Sequence, residues 1–418
     1  MPRTGAYWRM MAETTDIVIA GGGLNGMALA VALGQAGLSV TLVDPLSTEV
    51  RGDTGFDGRG YALSLASQRL LSAIGVWRAV ASQSQPILHI TVSDGRAGEG
   101  ASPLALDFDH AEIEEGPMGH MIEDRVLRPA LLASMAGAEG VTHLPEVSVL
   151  DHAPSGTGVT VTLSDGRRIE SSLLVACDGK RSPTALRAGI RRTGWEYGQT
   201  ALVCAIEHEK PHNATAHQFF MPPGPLAILP LPGNRSSIVW TERREMAEAI
   251  AGMDDAAYLA VLRPRFGDFL GAIRLAGARF TYPLTLSVAD RFVADRLALV
   301  GDAAHAVHPI AGQGLNAGLK DVAALAEVLV DARRRGEDIG RADVLQRYER
   351  WRRFDTMTLA VATDTFNRLF SNDNPILRLG RDLGLGLVGR VPRLRRGFTR
   401  EAAGLTGDLP RLSRGQPL

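Results

Sequence analysis

The chain has 418 residues, 45% hydrophobic and 22% charged, with 45 basic residues balanced by 46 acidic ones. That is enough chain for two or three domains around sizeable cores, and it excludes a disordered or disulfide-stapled protein. The near-zero net charge gives no reason to expect nucleic acid as a partner, and the oddity is glycine: 46 residues, well above a usual share of about 7%, with no G-X-Y period.

In chain order, Asp16–Ala20 reads as a short buried strand, Leu24–Gln35 as an apolar helix and Ser39–Val43 as a second strand. Ile17 to Val43 carries no charged residue, yet Gly21, Gly22, Gly23, Asn25 and Gly26 interrupt it, so a βαβ unit is expected and not a membrane span. Gly21, Gly23 and Gly26 stand at G-x-G-x-x-G spacing: a tight turn, a close approach to pyrophosphate, and helix packed on strand. Asp44 ends the second strand, where a carboxylate accepts from ribose hydroxyls. Leu173–Ser182 is a strand running into Asp178-Gly179. Leu297–Asn316 is another, running into Gly301-Asp302, followed by a Pro- and Gly-rich turn and a long helix to about Val330. Acids at such strand ends face a ligand at the carboxyl edge of an open α/β sheet. The intervening stretches alternate apolar and polar residues, as in 201–206 and 236–241, a strand signal. Within them Phe219–Leu231 has no charge, and Phe219, Met221, Leu229 and Pro230 are expected to wall an apolar substrate pocket.

The ordered set G-x-G-x-x-G, DG and GDAAHAVHPIAGQGLN resembles the flavin-dependent aromatic hydroxylases that share one FAD fold, that of p-hydroxybenzoate hydroxylase. Arg59-Gly-Tyr-Ala-Leu-Ser64, the run around Arg125, HPIAGQGLNAGLKD and the tail LTGDLPRL are similar to its ubiquinone-biosynthesis hydroxylase branch, over residues 14 to 412. The resemblance implies an α/β fold: a discontinuous Rossmann-like FAD-binding domain (14–80, 120–182, 286–340), an inserted β-sheet substrate domain (81–119, 183–285) and a C-terminal helical region (341–418). It assigns the pyrophosphate to Gly21, Gly23, Leu24, Asn25 and Gly26, the ribose to Asp44, and further FAD contacts to Arg59, Arg125, Asp178, Gly179 and Asp302. Gly312, Gln313, Gly314, Leu315 and Asn316 would lie against the flavin, with Pro309 beside its reactive face. Pro309, Gly312, Gln313 and Gly314 are thus the expected catalytic elements. Ala185 stands where this family usually has arginine, and Arg187 is the candidate substitute.

The implied activity is hydroxylation of a polyprenyl phenol in ubiquinone synthesis, with FAD, NAD(P)H or another reductant, and O2 forming a flavin C4a-hydroperoxide. A hydroxylase of a small soluble aromatic, an isoprenoid reductase and a non-enzymatic flavin scaffold remain open here. No metal is expected: Pro309 directly after His308 breaks the helix that His305 and His308 would need, and His208, His212 and His217 read as surface loop residues. There is no hydrolase elbow, no nucleotide-hydrolysing loop and no second dinucleotide motif. Cys177 and Cys204 fit a reducing cytoplasm. Residues 376–400 carry seven arginines against Asp382, leaving two placements open: packed on the FAD domain, or lying on the inner membrane or on a partner of a biosynthetic complex.

Overall fold

The computed structural model describes residues 13–96, 100–101, 105–307, 313–370 and 392–418. The chain runs through β1 (Glu13–Ala20), α1 (Leu24–Gln35), β2 (Val40–Asp44), the single-turn α2 (Thr48–Arg51), β3 (Gly60–Ser64) and α3 (Leu65–Ala73). It leaves along β4 (His89–Arg96) and returns through α4 (Asp124–Ala136) and β5 (Arg168–Ala176). A second excursion takes it over β6 (Arg192–His208), β7 (Thr215–Met221), β8 (Gly224–Leu231) and β9 (Arg235–Arg243). Helices α5 (Arg244–Ala251) and α6 (Asp255–Phe266) and the long β10 (Ile273–Ala289) follow. Then come β11 (Leu297–Leu299), α7 (Gln313–Arg334), α8 (Ala342–Phe370) and α9 (Pro392–Ala402).

The first sheet is centred on β1, which pairs in parallel with β2 on one side and β5 on the other; β5 also pairs in parallel with β11. Strands far apart in sequence therefore meet at one edge. Both faces of this sheet are covered, so β2 is buried at every residue and its sequence is a continuous run with no alternation. Helix α1 is buried on nearly all sides, which is why LNGMALAVALGQ shows no polar stripe. The charge-free Ile17–Val43 arm is thus part of the buried core, and no helix among the described residues is long and apolar enough to cross a membrane.

The second sheet runs in the order β10, β6, β9, β8, β7, β4, with shorter strands at its ends. The boundary read at 285/286 falls inside β10, which serves this sheet as one continuous strand. Alternation gives the sheet two distinct faces. One packs under α5 and α6, where Leu202, Cys204, Phe219, Met221 and Trp240 meet Tyr258 and Phe266. The other packs on the first domain, where Ala205, Ala216, Leu229 and Leu231 meet Phe56, Ala62, Leu65 and Met121.

The described part of the tail packs on this body. Arg395 pairs with Glu112 and Arg400 with Glu115, each at 2.8 Å, while Ala403, Leu405 and Leu412 are buried. Residues 392–418 thus take the packed placement; 376–391 of the arginine-rich stretch lie outside the described residues.

Candidate functional site

The turn from β1 into α1 is shaped by what glycine lacks. At Gly21, with φ +107, a Cβ would come within 2.5 Å of the Cys177 carbonyl oxygen; at Gly22 it would meet the Asp44 carboxylate at 2.1 Å; at Gly26 it would meet the Gly21 carbonyl oxygen at 2.0 Å. At Gly23, the N-cap residue, nothing lies within 4 Å and no side chain caps the helix. Three glycines therefore close the loop on itself and the fourth opens it outward, leaving the positive end of α1 to an anion. Asn25, expected at the pyrophosphate, instead points inward: a Cβ at Gly301 or Gly318 would lie 2.3 or 2.2 Å from its amide nitrogen. Those two glycines make room for Asn25 and so seat α1 against α7.

Asp44 is fully buried at the end of β2, and a residue the sequence did not flag holds it there. Arg51, on α2, donates from Nε to Oδ2 at 2.6 Å and from a terminal nitrogen to Oδ1 at 2.9 Å. The bidentate pair fixes the carboxylate's plane beside the glycine loop. Arg59 donates to Asp57 at 2.6 Å, lies 3.2 Å from Asp124 and stacks over Phe280 of β10 at 5.7 Å. Arg125 donates to Glu123 at 2.6 Å and stacks on Phe56, whose ring Arg235 of β9 also covers. Both arginines are thus engaged where the two sheets meet.

At the end of β5, the Oδ2 of Asp178 accepts from the Thr184 backbone at 3.1 Å, while Oδ1 is buried with no partner among the described residues. Ser182 caps the next short helix through the Ala185 N–H. Arg187 turns away to Thr184 and the Val149 carbonyl, so Ser182 and Asp178 hold this loop where the family pattern would use arginine.

Beyond β11, Gly301 has φ +64, and Asp302 presents an accessible carboxylate from a crowded cleft. The surrounding protein raises its pKa from the usual carboxylate value, opposed by His305, Arg192 and Lys180. Arg192 braces the turn by donating to the carbonyls of Ala303 at 2.5 Å and Asp302 at 3.2 Å. Behind it sits a network invisible in the motif. Asp321 of α7 accepts from the Gly301 N–H at 2.9 Å and from Arg352 of α8 at 2.8 Å, and bonds the His305 imidazole at 2.7 Å. Burial alone would raise the Asp321 pKa, but His305 and Arg352 outweigh it and hold it low.

The Asn316 side chain is engaged within the protein: its amide donates to the Ala62 carbonyl at 2.8 Å and accepts from the Ser64 N–H and the Ser67 hydroxyl. It clamps the start of α7 to β3, which places Gln313, Gly314 and half-buried Leu315 in the opening turn of that helix. Pro309 and Gly312 lie outside the described residues. Together, an outward-opening uncapped helix start, a lone buried carboxylate oxygen on Asp178 and the accessible Asp302 converge at one sheet edge, a donor and acceptor set suited to FAD.

Of the four expected pocket residues, Phe219 and Met221 belong to the core under α5 and α6, and Pro230 shares that face by alternation. Leu229 stands on the opposite face, toward the first domain. The two-residue period of a strand separates neighbours that a composition reading lumps together. Two of the three histidines read as surface loop residues, His208 and His217, lie in strands instead, while His212 is half-buried in the loop between β6 and β7 and bonds the Leu231 carbonyl at 2.9 Å. His208 is buried, bonding the Lys210 carbonyl at 2.8 Å and Ser236 at 3.0 Å, and burial pushes His217 down to about 4. Among the described residues no cluster suited to a metal ion occurs.

The FAD binding domain family matches residues 14–360. The chain is 46% identical to the ubiquinone hydroxylase UbiL of Rhodospirillum rubrum, covering 99% of this chain and 96% of that one. It is 35% identical to the 3-demethoxyubiquinol 3-hydroxylase of Escherichia coli, covering 95% and 100%. Among solved structures, p-nitrophenol 4-monooxygenase from Pseudomonas putida superposes with a TM-score of 0.78 at 19% identity, over 94% of this chain and 99% of that one, a likeness of fold. The chain therefore belongs to the FAD-binding flavoprotein monooxygenases, in the branch that contains the ubiquinone hydroxylases.

Proposed function

We propose that this enzyme hydroxylates the aromatic ring of a polyprenyl phenol or quinol during ubiquinone biosynthesis. The observation that carries the reading is the 46% identity to a ubiquinone hydroxylase along essentially the whole chain. When bound and reduced by NAD(P)H or another donor, FAD supplies the O2 chemistry of ring hydroxylation. The protein's own work is binding, orientation and exclusion of water. The open N-terminus of α1 at Gly23 takes the pyrophosphate, Asp44 held by Arg51 takes the ribose, and Asp178 and Asp302 complete the cradle. The opening turn of α7, at Gln313 and Gly314, offers backbone N–H donors where negative charge collects on the flavin. The second sheet roofs the site. Deleting the gene and identifying the accumulated quinone precursor by mass spectrometry tests the assignment: a precursor lacking one ring hydroxyl is expected, and an unaltered quinone profile overturns it.

A polyprenyl substrate resides in lipid, and the reading extends to contact with a membrane. Supporting it, Phe354, Met357 and Val361 form one exposed stripe on α8, at 76%, 45% and 62% exposure, beside the exposed Arg350 and Arg353. Co-sedimentation with anionic vesicles should fall severalfold in Phe354→Asp/Val361→Asp. Equal sedimentation of the variant removes the stripe from the argument.

A further inference from the structure

The face of the second sheet that looks toward the first domain is a surface with a trough in it. Across six consecutive strands one row stands in register: Phe280 opposite Val203, Val203 opposite Val239, Val239 opposite Ala227, Ala227 opposite Gln218, and Gln218 beside Val92. Every member of this row is half-buried. On one side, the flanking row packs against the first domain through Ala205, Leu229 and Ala216. On the other side, Ala201, Thr241, Pro225 and Phe220 are buried. A half-exposed row between two packed ones is a groove.

The groove faces the cofactor side. Arg59 stacks over Phe280 at one end of the row, and Gly58 approaches so closely that a Cβ there would lie 3.2 Å from the Ala205 nitrogen. Beyond the groove, Asn367 of α8 donates to Gln199 at 3.0 Å, and Gln199 donates to the Pro223 carbonyl at 2.7 Å, which ties α8 to this sheet.

Five of the six side chains in the row are apolar, and the sixth is Gln218. Its Nε2 is buried and has no hydrogen-bond partner among the described residues. A buried amide donor left unpaired is costly unless something else supplies the acceptor. The side chain shares the face of Ala216, whose strand partner Ile90 also packs toward the first domain.

We infer that this row is the ring-binding subsite and that Gln218 Nε2 donates a hydrogen bond to the substrate's ring oxygen, making Gln218 a specificity-determining residue. The inference rests on the proposed hydroxylation of a prenylated phenol, and adds to it which wall the ring lies on and which atom reads its oxygen. The apolar row holds the ring and discriminates little between a phenol and a benzene. The single donor discriminates, because a ring without oxygen leaves the amide unpaired.

The test uses the FAD-loaded enzyme and two probes, a short-chain 2-prenylphenol and the prenylbenzene that lacks its oxygen, with dissociation constants read from the perturbed flavin absorbance. Wild type should prefer the phenol by about threefold to tenfold, the worth of one neutral hydrogen bond. Gln218→Leu should weaken the phenol by that factor, raising KM more than it lowers kcat, while leaving prenylbenzene binding and FAD content unchanged. Equal effects on both probes, or none, overturn the role of Gln218. Val239→Trp, which fills the middle of the row, should abolish binding of both probes with FAD retained. If Val239→Trp binds both probes normally, the subsite itself is elsewhere. Both variants behaving as expected while the gene deletion leaves quinones unaltered would separate a correct subsite from a wrong pathway.

Discussion

Gly23 and Gly26 sit three residues apart in one motif and answer to different neighbours. A methyl at position 26 would press on a backbone oxygen that cannot swing aside, so Gly26→Ala should cost about 1–3 kcal/mol of fold stability in urea titrations and lose FAD as well. A methyl at position 23 meets only open space. Gly23→Ala should leave the thermal midpoint within about 2 °C while weakening FAD by roughly tenfold, because the methyl stands where a phosphate must approach. Equal destabilisation by both would show the loop to be a structural turn. The spacing of these glycines was readable because the motif is local: turn, approach and packing fall within six residues. What holds Asp44 was not, since nothing in SerThrGluValArg before folding announces that one helical turn brings Arg51 back onto the strand end. Asn25 and Asn316 show the same limit from the other side. They lie within ligand motifs, yet the Asn25 side chain fills the space between α1 and α7, and the Asn316 amide bonds the start of α7 to β3.

At the level of elements, strands and helices were legible wherever their period was clean. The helix expected at Leu24–Gln35 is found with those bounds, and the apolar runs ending in Asp178 and Asp302 are strands of one sheet. The face of each roof strand was not legible, because Phe219 and Phe220 differ in nothing but parity, and parity acquires meaning only once α5 and α6 cover one side. The tail shows charge patterning misleading for a physical reason: Arg395 and Arg400 find Glu112 and Glu115 across nearly three hundred residues of sequence, a pairing no local window contains. Exposed pairs of this kind contribute little. The anchoring comes from Leu405 and Leu412, worth about 1.5–3 kcal/mol each when buried. Removing residues 403–418 should therefore lower unfolding free energy by roughly 3–6 kcal/mol, and a truncated chain of undiminished stability would show the tail to be an appendage.

Across the whole molecule, burial makes proton uptake a measure of folding. His120 and His217 are each pushed down to about 4 by burial, whereas in an unfolded chain they titrate near 6.5. Between those values the unfolded state binds more protons. The stability they support is therefore complete above pH 6.5 and is lost as pH falls toward 4. Urea unfolding at pH 7.5 and at pH 5 should show a loss at the lower pH that His120→Gln/His217→Gln reduces; an unchanged loss would assign it to groups other than these two histidines, His143, His152 and His208 among them. The same interleaving that buries these groups also sets a schedule. Asp302 follows Gly21 by 281 residues, and β11, which leads into it, must pair with β5 before the cradle has its third acid. A ribosome adding about 5–20 residues per second needs some fifteen seconds to a minute to cover that interval. Throughout it, the nascent chain carries a finished glycine loop and no finished site, so cofactor capture belongs to the last third of synthesis and the early sheet must wait, with one edge bare, for its closing strand.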